Sequence, residues 1–134
     1  MKIIFVDYSK KYYLNVAKTA VPDKRFGKFI QIRHDTTEYL IFSPKELTLY
    51  HADIVRLFCT EREIGGNYNN SSKCFDIYEP AWIVVGGGKF EIDSTKKYVR
   101  LYDDSLAYGR FNTKGLREKI HSIDGFSNFE VQIE

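Results

Sequence analysis

Long apolar runs, paired cysteines and charge of one sign are all scarce in this sequence, and each scarcity removes a class of function. Charged residues interrupt every apolar stretch, so no segment approaches the roughly 20 residues that a membrane-spanning helix needs. The opening MKIIFVDYSK holds an apolar run of only four residues, too short for the core of a signal peptide, and a cytoplasmic chain is expected. The two cysteines, Cys59 and Cys74, stand fifteen positions apart without CxxC spacing, which predicts reduced thiols, not a disulfide. Lys and Arg number 20 against 18 Asp and Glu, a formal net charge of +2, so no global field draws the chain to nucleic acid or to a membrane. Among the three histidines, His34, His51 and His121, no pair has the i, i+4 or short-loop spacing of a zinc site. No metal and no cofactor are expected.

What is present is the material of a packed core. Apolar residues make up 43% of the 134, with ten Tyr and ten Phe, enough for one domain over residues 1–134 that buries roughly two-thirds of its unfolded surface. Short β-type runs are predicted at Ile3–Val6 and Tyr12–Val16, which form a plausible hairpin. Further strands are expected at Gly27–His34 and Glu38–Phe42, joined by Asp35-Thr36-Thr37. Ile64–Lys73, rich in Gly, Asn and Ser, reads as a long surface loop. Trp82–Val85 reads as a buried strand ending at Gly86-Gly87-Gly88, followed by strands at Lys89–Ile92, Lys97–Tyr102 and Phe129–Ile133. Helical character is expected over Thr113–Ser122. Strands interleaved with two main helices predict an α/β or α+β fold with a mixed sheet of about six strands.

The main helix has an ambiguous start. Ser43-Pro44-Lys45-Glu46 has the form of a capping box with proline at the first helical position. Tyr50, Ile54, Leu57 and Phe58, at i, i+4, i+7 and i+8, predict a buried stripe over a helix that begins instead near Leu49 and runs to about Glu61. In the second case His51 lies among the first residues, where backbone N–H groups lack intrahelical partners and the dipole favours an anion.

Familiar phosphate-handling patterns are missing. Gly86-Gly87-Gly88-Lys89 lacks the spacer and Lys-Ser/Thr pair of a Walker loop, and the strand expected after it does not fit a dinucleotide fingerprint. No GxSxG elbow occurs, and neither cysteine has the downstream arginine of a thiolate phosphatase. Arg33-His34 at a strand end lacks the glycine of an Arg-His-Gly signature.

Tyr50-His51-Ala52-Asp53-Ile54, Gly86-Gly87-Gly88-Lys89 and Ser105-Leu106-Ala107-Tyr108-Gly109, in that order, resemble the motifs of the Janus/Ocnus family, which includes small protein phosphohistidine phosphatases of animals. Gly27-Lys28-Phe29-Ile30-Gln31-Ile32-Arg33 is similar to that family's lysine-bearing strand, and the resemblance extends over roughly Phe26–Ile123. It implies metal-independent hydrolysis of phosphohistidine or related phosphoramidate N–P bonds, with His51 catalytic as general base or transient nucleophile. It also implies phosphate contacts from Lys28, Lys89, Ser105, Ala107 and the amides of His51 and Ala52. Gly86, Gly87, Gly88 and Gly109 would shape the loops. Those amides must be free, which favours the helix start near Leu49.

The expected partner is a phosphohistidine-bearing protein or a phosphoramidate substrate, handled by a monomer. Two departures stand out: the Ile64–Pro80 segment is longer than in the animal enzymes, and Lys89 replaces an arginine, a point charge for a bidentate fork. They motivate the alternative of a non-catalytic phosphate- or phosphopeptide-binding module with the same fold. The basic and aromatic residues at Lys24, Arg25, Phe26, Lys28, Phe29 and Arg33 would suit a nucleic-acid platform, against which the small net charge argues.

Overall fold

Along the strand that carries Lys28, Ile30 and Ile32, the intervening Phe29 is also fully buried. Side chains alternate across a strand, so this strand has to be covered on both faces. The computed structural model, which describes residues 1–134, meets that demand with a central sheet between two layers. Strands β1 (Lys2–Asp7), β2 (Lys24–His34), β3 (Thr37–Pro44), β6 (Trp82–Asp93), β7 (Tyr98–Tyr102) and β8 (Glu130–Ile133) form a six-stranded sheet in the order β1-β3-β2-β6-β7-β8. The inner pairings are antiparallel, and the outermost pairs, β1 with β3 and β7 with β8, are parallel. A second, two-stranded sheet pairs β4 (Gly66–Asn69) with β5 (Cys74–Ile77). Helices α1 (His51–Glu61) and α2 (Leu116–His121) complete this α+β mixed-sheet fold.

Each face has its own core. Phe29, Phe42, Phe90 and Leu101 pack with Leu116 and Ile120 of α2. Ile30, Ile32 and Ile41 pack with Ile54, Val55 and Phe58 of α1 and with Phe75 of the small sheet. The register Phe29↔Phe42 and Ile30↔Ile41 keeps each set on its own side.

Four local expectations differ from what is found. Tyr12–Val16 is not a strand: Lys11–Val16 forms a π-helical turn, with the Ala17 amide donating to Tyr12 O at 2.9 Å. β1 pairs in parallel with β3 instead, so the expected hairpin of Ile3–Val6 with Tyr12–Val16 does not form. Ile64–Lys73 is not an open loop, because Gly66–Asn69 pairs with Cys74–Ile77. Gly86-Gly87-Gly88 makes no turn, and Lys89–Ile92 is no separate strand, since both lie inside the twelve-residue β6. The buried stripe of α1 is also displaced. Tyr50 is 62% exposed and Leu57 only partly buried, while His51, Ala52, Ile54, Val55, Phe58 and Cys59 face inward.

Ser43-Pro44-Lys45-Glu46 does not open the helix. Ser43 and Pro44 remain paired with β2 as the end of β3, and the Ser43 hydroxyl accepts a 2.6 Å hydrogen bond from Thr48 instead of capping a turn. The helix starts at His51, after extended Tyr50, whose amide donates to the Asp53 carboxylate at 3.0 Å.

Candidate functional site

Register places Lys28 of β2 directly opposite Lys89 of β6. Like charges at opposed positions of a sheet repel, and both lie on the face covered by α1. The N-terminus of α1 borders the same region, so two ammonium groups and one positive helix end converge on a cleft of about 920 Å³.

The residues at the helix start are held by specific contacts. Lys28 Nζ donates to Leu49 O at 2.6 Å and lies 5.6 Å from the centre of the Tyr50 ring, tying β2 to the turn before the helix. The Asp53 amide returns to Tyr50 O at 3.1 Å, whereas the amides of His51 and Ala52 have no acceptor within the protein. Both residues line the cleft. This is the pair of unpaired N–H groups that the first turn of a helix leaves over.

His51 is 6% exposed, and its imidazole lies over the glycines of β6. Nε2 is 2.8 Å from Gly88 O. A carbonyl oxygen only accepts, so Nε2 carries the proton, and the lone pair of the neutral ring is on Nδ1. Burial pushes the imidazole below its ordinary value of 6.5; the Gly88 carbonyl opposes this, and Lys28 adds to it. The neutral ring is therefore the favoured form near pH 7.

Gly87 makes that position possible. A Cβ there would lie 2.5 Å from Phe29 O and 2.9 Å from His51 Cδ2. The triplet thus serves close approach of a side chain and of neighbouring backbone to a strand, not the shaping of a loop.

The Ser105–Gly109 loop hangs on the same strand. Gly87 donates to Gly109 O at 3.1 Å, and Ser105 and Gly109 exchange backbone hydrogen bonds at 3.2 and 2.7 Å. Gly109 has φ +83°, the one position in this turn that needs glycine's freedom. Ala107 faces the cleft, and its amide is also unpaired. Ser105 does not line the cleft: it is buried, and its Oγ accepts from the Tyr108 amide at 3.1 Å, so its position is that of a brace for the loop.

Of the expected side chains and amides, Lys28, His51, Ala52, Lys89 and Ala107 are brought together. Lys89 is not free, since its Nζ lies 3.0 Å from Asp103 Oδ2 and the hydrogen bond to that carboxylate holds the ammonium above its ordinary value. Asp103, Asp104, Arg56 and Lys73 also line the cleft without having been expected there. Arg56 had a legible signal, because it stands one helical turn beyond Ala52 on the same face. Lys73 had none, since only the β4–β5 hairpin carries it to the site.

A model of the Janus/Ocnus family matches residues 15–130. The chain belongs to the Janus/Ocnus family. That span takes in β2, α1, β6 and the Ser105–Gly109 loop, so every element that builds the cleft lies within the matched region. No curated protein matches this Janus/Ocnus chain. No helix in it is long and apolar enough to cross a membrane, and both cysteines are free. Cys59 is buried within the α1 core, and burial pushes its thiol up to about 11, which removes it as a nucleophile at neutral pH. In the basic strip of β2, Phe29 is inside the core and Arg25 is paired with Asp7 at 2.9 Å, while Phe26 is exposed with Lys24 Nζ 5.7 Å from its ring centre.

Proposed function

We propose that this Janus/Ocnus protein hydrolyses phosphohistidine or a related phosphoramidate N–P bond. The observation that carries the proposal is the neutral, buried His51 with its lone pair on Nδ1, set among the unpaired amides of His51, Ala52 and Ala107. Amides and ammonium groups facing one cleft suit three equatorial phosphoryl oxygens, whose charge they stabilise without rearranging. Lys28 and Lys89 supply the cationic part. Two routes fit the same geometry. Nδ1 accepts a proton from water as the oxygen bonds to phosphorus and the P–N bond breaks, then returns that proton to the departing imidazole. Alternatively, Nδ1 attacks phosphorus itself as the substrate P–N bond breaks and the departing nitrogen takes a proton from solvent, and water then hydrolyses the phospho-His51 to inorganic phosphate and neutral His51.

The test is release of inorganic phosphate from a phosphohistidine peptide and from phosphoramidate, followed by ³¹P NMR in EDTA across pH 5–9. Release is expected, with kcat/KM falling on the acid side at a pH below 6.5, because protonation removes the Nδ1 lone pair. The same group marks stability. The unfolded imidazole binds a proton more readily than the folded one, so stability contributed by the neutral ring is full at neutral pH. It declines as pH falls through 6.5 and levels off below the folded value. Denaturant titrations at pH 7.5 and 5.5 are expected to give a lower midpoint in acid, with a smaller difference in a His51→Gln variant.

A second reading rests on Lys89. Its ion pair with Asp103 already meets the charge that a phosphoryl oxygen would seek, which suits a module that binds a phosphorylated ligand without turning it over. Binding of the peptide with no phosphate release anywhere in pH 5–9 would establish that reading over the first.

A further inference from the structure

The cleft is wider than a phosphoryl group needs, and one wall of it is the β4–β5 hairpin. Tyr68 and Lys73 of the hairpin line the cleft beside Arg56 of α1. The hairpin is tied down at the start of β5, next to its turn. The Tyr108 hydroxyl accepts from the Phe75 amide at 2.7 Å and lies 3.1 Å from Phe75 O, and Cys74 Sγ donates to Ala107 O at 3.1 Å. Its tip is preformed as well, with Asn69 Oδ1 accepting from the amides of Ser71 and Ser72, and Lys73 N–H donating to Asn69 O at 2.9 Å. The hairpin is thus a fixed arm anchored to the loop that presents the Ala107 amide.

The outer cations of the cleft, Lys73 of this arm and Arg56 of α1, have no assigned task. Lys28 and Lys89 lie beside the helix start, whereas Arg56 reaches only Asp53, at 3.8 Å, and Lys73 takes part in no ion pair. Exposed Tyr50 and Tyr68 and the fully exposed Leu106 give the mouth an apolar, partly aromatic rim. A small anion would use neither the rim nor the outer cations. A polypeptide would use both, its backbone and apolar groups on the rim and its acidic side chains on Arg56 and Lys73.

We infer that the β4–β5 hairpin is a substrate-recognition arm, and that Lys73 with Arg56 selects phosphorylated protein segments bearing Asp or Glu close to the phosphorylated residue. The inference deepens the proposed function and rests on it for its kinetic readout. Lys73 and Arg56 act on the flanking residues and not on the reacting atoms, so their effect lies in discrimination between substrates.

The experiment uses the full chain and two phosphohistidine peptides of equal length, one flanked by Asp and Glu and the other by Lys and Arg. The ratio of their kcat/KM values is expected to favour the acidic peptide. Lys73→Glu is expected to reduce that ratio by about three- to tenfold, the range of one or two exposed charge contacts, and Arg56→Gln to reduce it in the same direction. Phosphoramidate turnover is measured alongside. A ratio that stays at the wild-type value in both variants overturns the inference, as does a proportionate loss on peptides and phosphoramidate alike.

Direct binding separates this from failure of the catalytic proposal. Fluorescence anisotropy with non-hydrolysable phosphonate analogues of both peptides reads the preference without turnover. Acidic preference that Lys73→Glu removes, in a protein that hydrolyses neither peptide nor phosphoramidate, rejects the phosphatase and keeps the arm. Equal affinity of wild type for both analogues rejects the arm whatever the turnover.

Discussion

Replacing His51 with alanine is expected to lower phosphate release from a phosphohistidine peptide by about 10²–10⁴-fold, the range that a positioned proton-transfer group contributes. The loss should appear in kcat, because the amides of residues 51 and 52 belong to the backbone and persist in the variant. Alanine also leaves Gly88 O, 2.8 Å from Nε2 in the wild type, without that partner. An unpaired buried carbonyl costs about 1–3 kcal/mol, so lowered stability alone could imitate a catalytic effect. His51→Gln separates the two, since its amide can donate to Gly88 O but has no basic nitrogen. Both variants are expected to be inactive at a temperature where circular dichroism shows them folded. Near-wild-type turnover in either would sink the catalytic assignment.

A large structural effect is also expected at Gly87. A methyl group there would press on the Phe29 carbonyl at 2.5 Å, on His51 Cδ2 at 2.9 Å and on Ile30 Cδ1 at 3.1 Å. The first is strand backbone held in the β2–β6 ladder and cannot yield without breaking pairing; the second is the proposed reactive ring. Gly87→Ala is therefore expected to destabilise by about 3 kcal/mol or more and to lower Tm by roughly 10 °C or more. Residual folded protein should be inactive, because the ring is displaced. Gly109→Ala is the control. It meets no atom within 4 Å, and its φ of +83° costs only backbone strain, about 1–2 kcal/mol. Differential scanning calorimetry of the two variants checks the contrast. Equal shifts would mean that close approach at Gly87 has little weight.

Most of the local pieces could be read along the chain. β2, β3 and β7 follow their apolar runs closely, and α1 starts within two residues of Leu49. The site residues that lie inside the ordered motifs, His51, Ala52 and Ala107, meet in one cleft. Misreadings came where one local pattern serves two structures. Ser43-Pro44-Lys45-Glu46 has the letters of a helix cap, yet pairing with β2 holds Ser43 and Pro44 in a strand. Three glycines have the letters of a break, yet they pair with Gln31, Ile30 and Phe29 of β2 and stay within β6. In α1, the expected stripe began one residue too early, and the face that carries His51, Val55, Phe58 and Cys59 is the buried one.

The sequence by itself determined β2, β3, β7 and α1, through apolar runs and the period of α1, and it gathered the chemistry-bearing residue types in three short motifs. Only the tertiary structure decided what those motifs do to one another. Gly87 and His51 are 36 positions apart, and no local rule says that a missing side chain on one makes room for the ring of the other. Lys73 reaches the cleft because Tyr108 pins the hairpin 33 residues upstream of it. Asp103 meets Lys89 because β6 and β7 are antiparallel neighbours, with Lys89 opposite Tyr102. These are contacts between distant segments. Packing over both faces of the sheet fixes them, and periodicity along one segment carries no information about its partner on another.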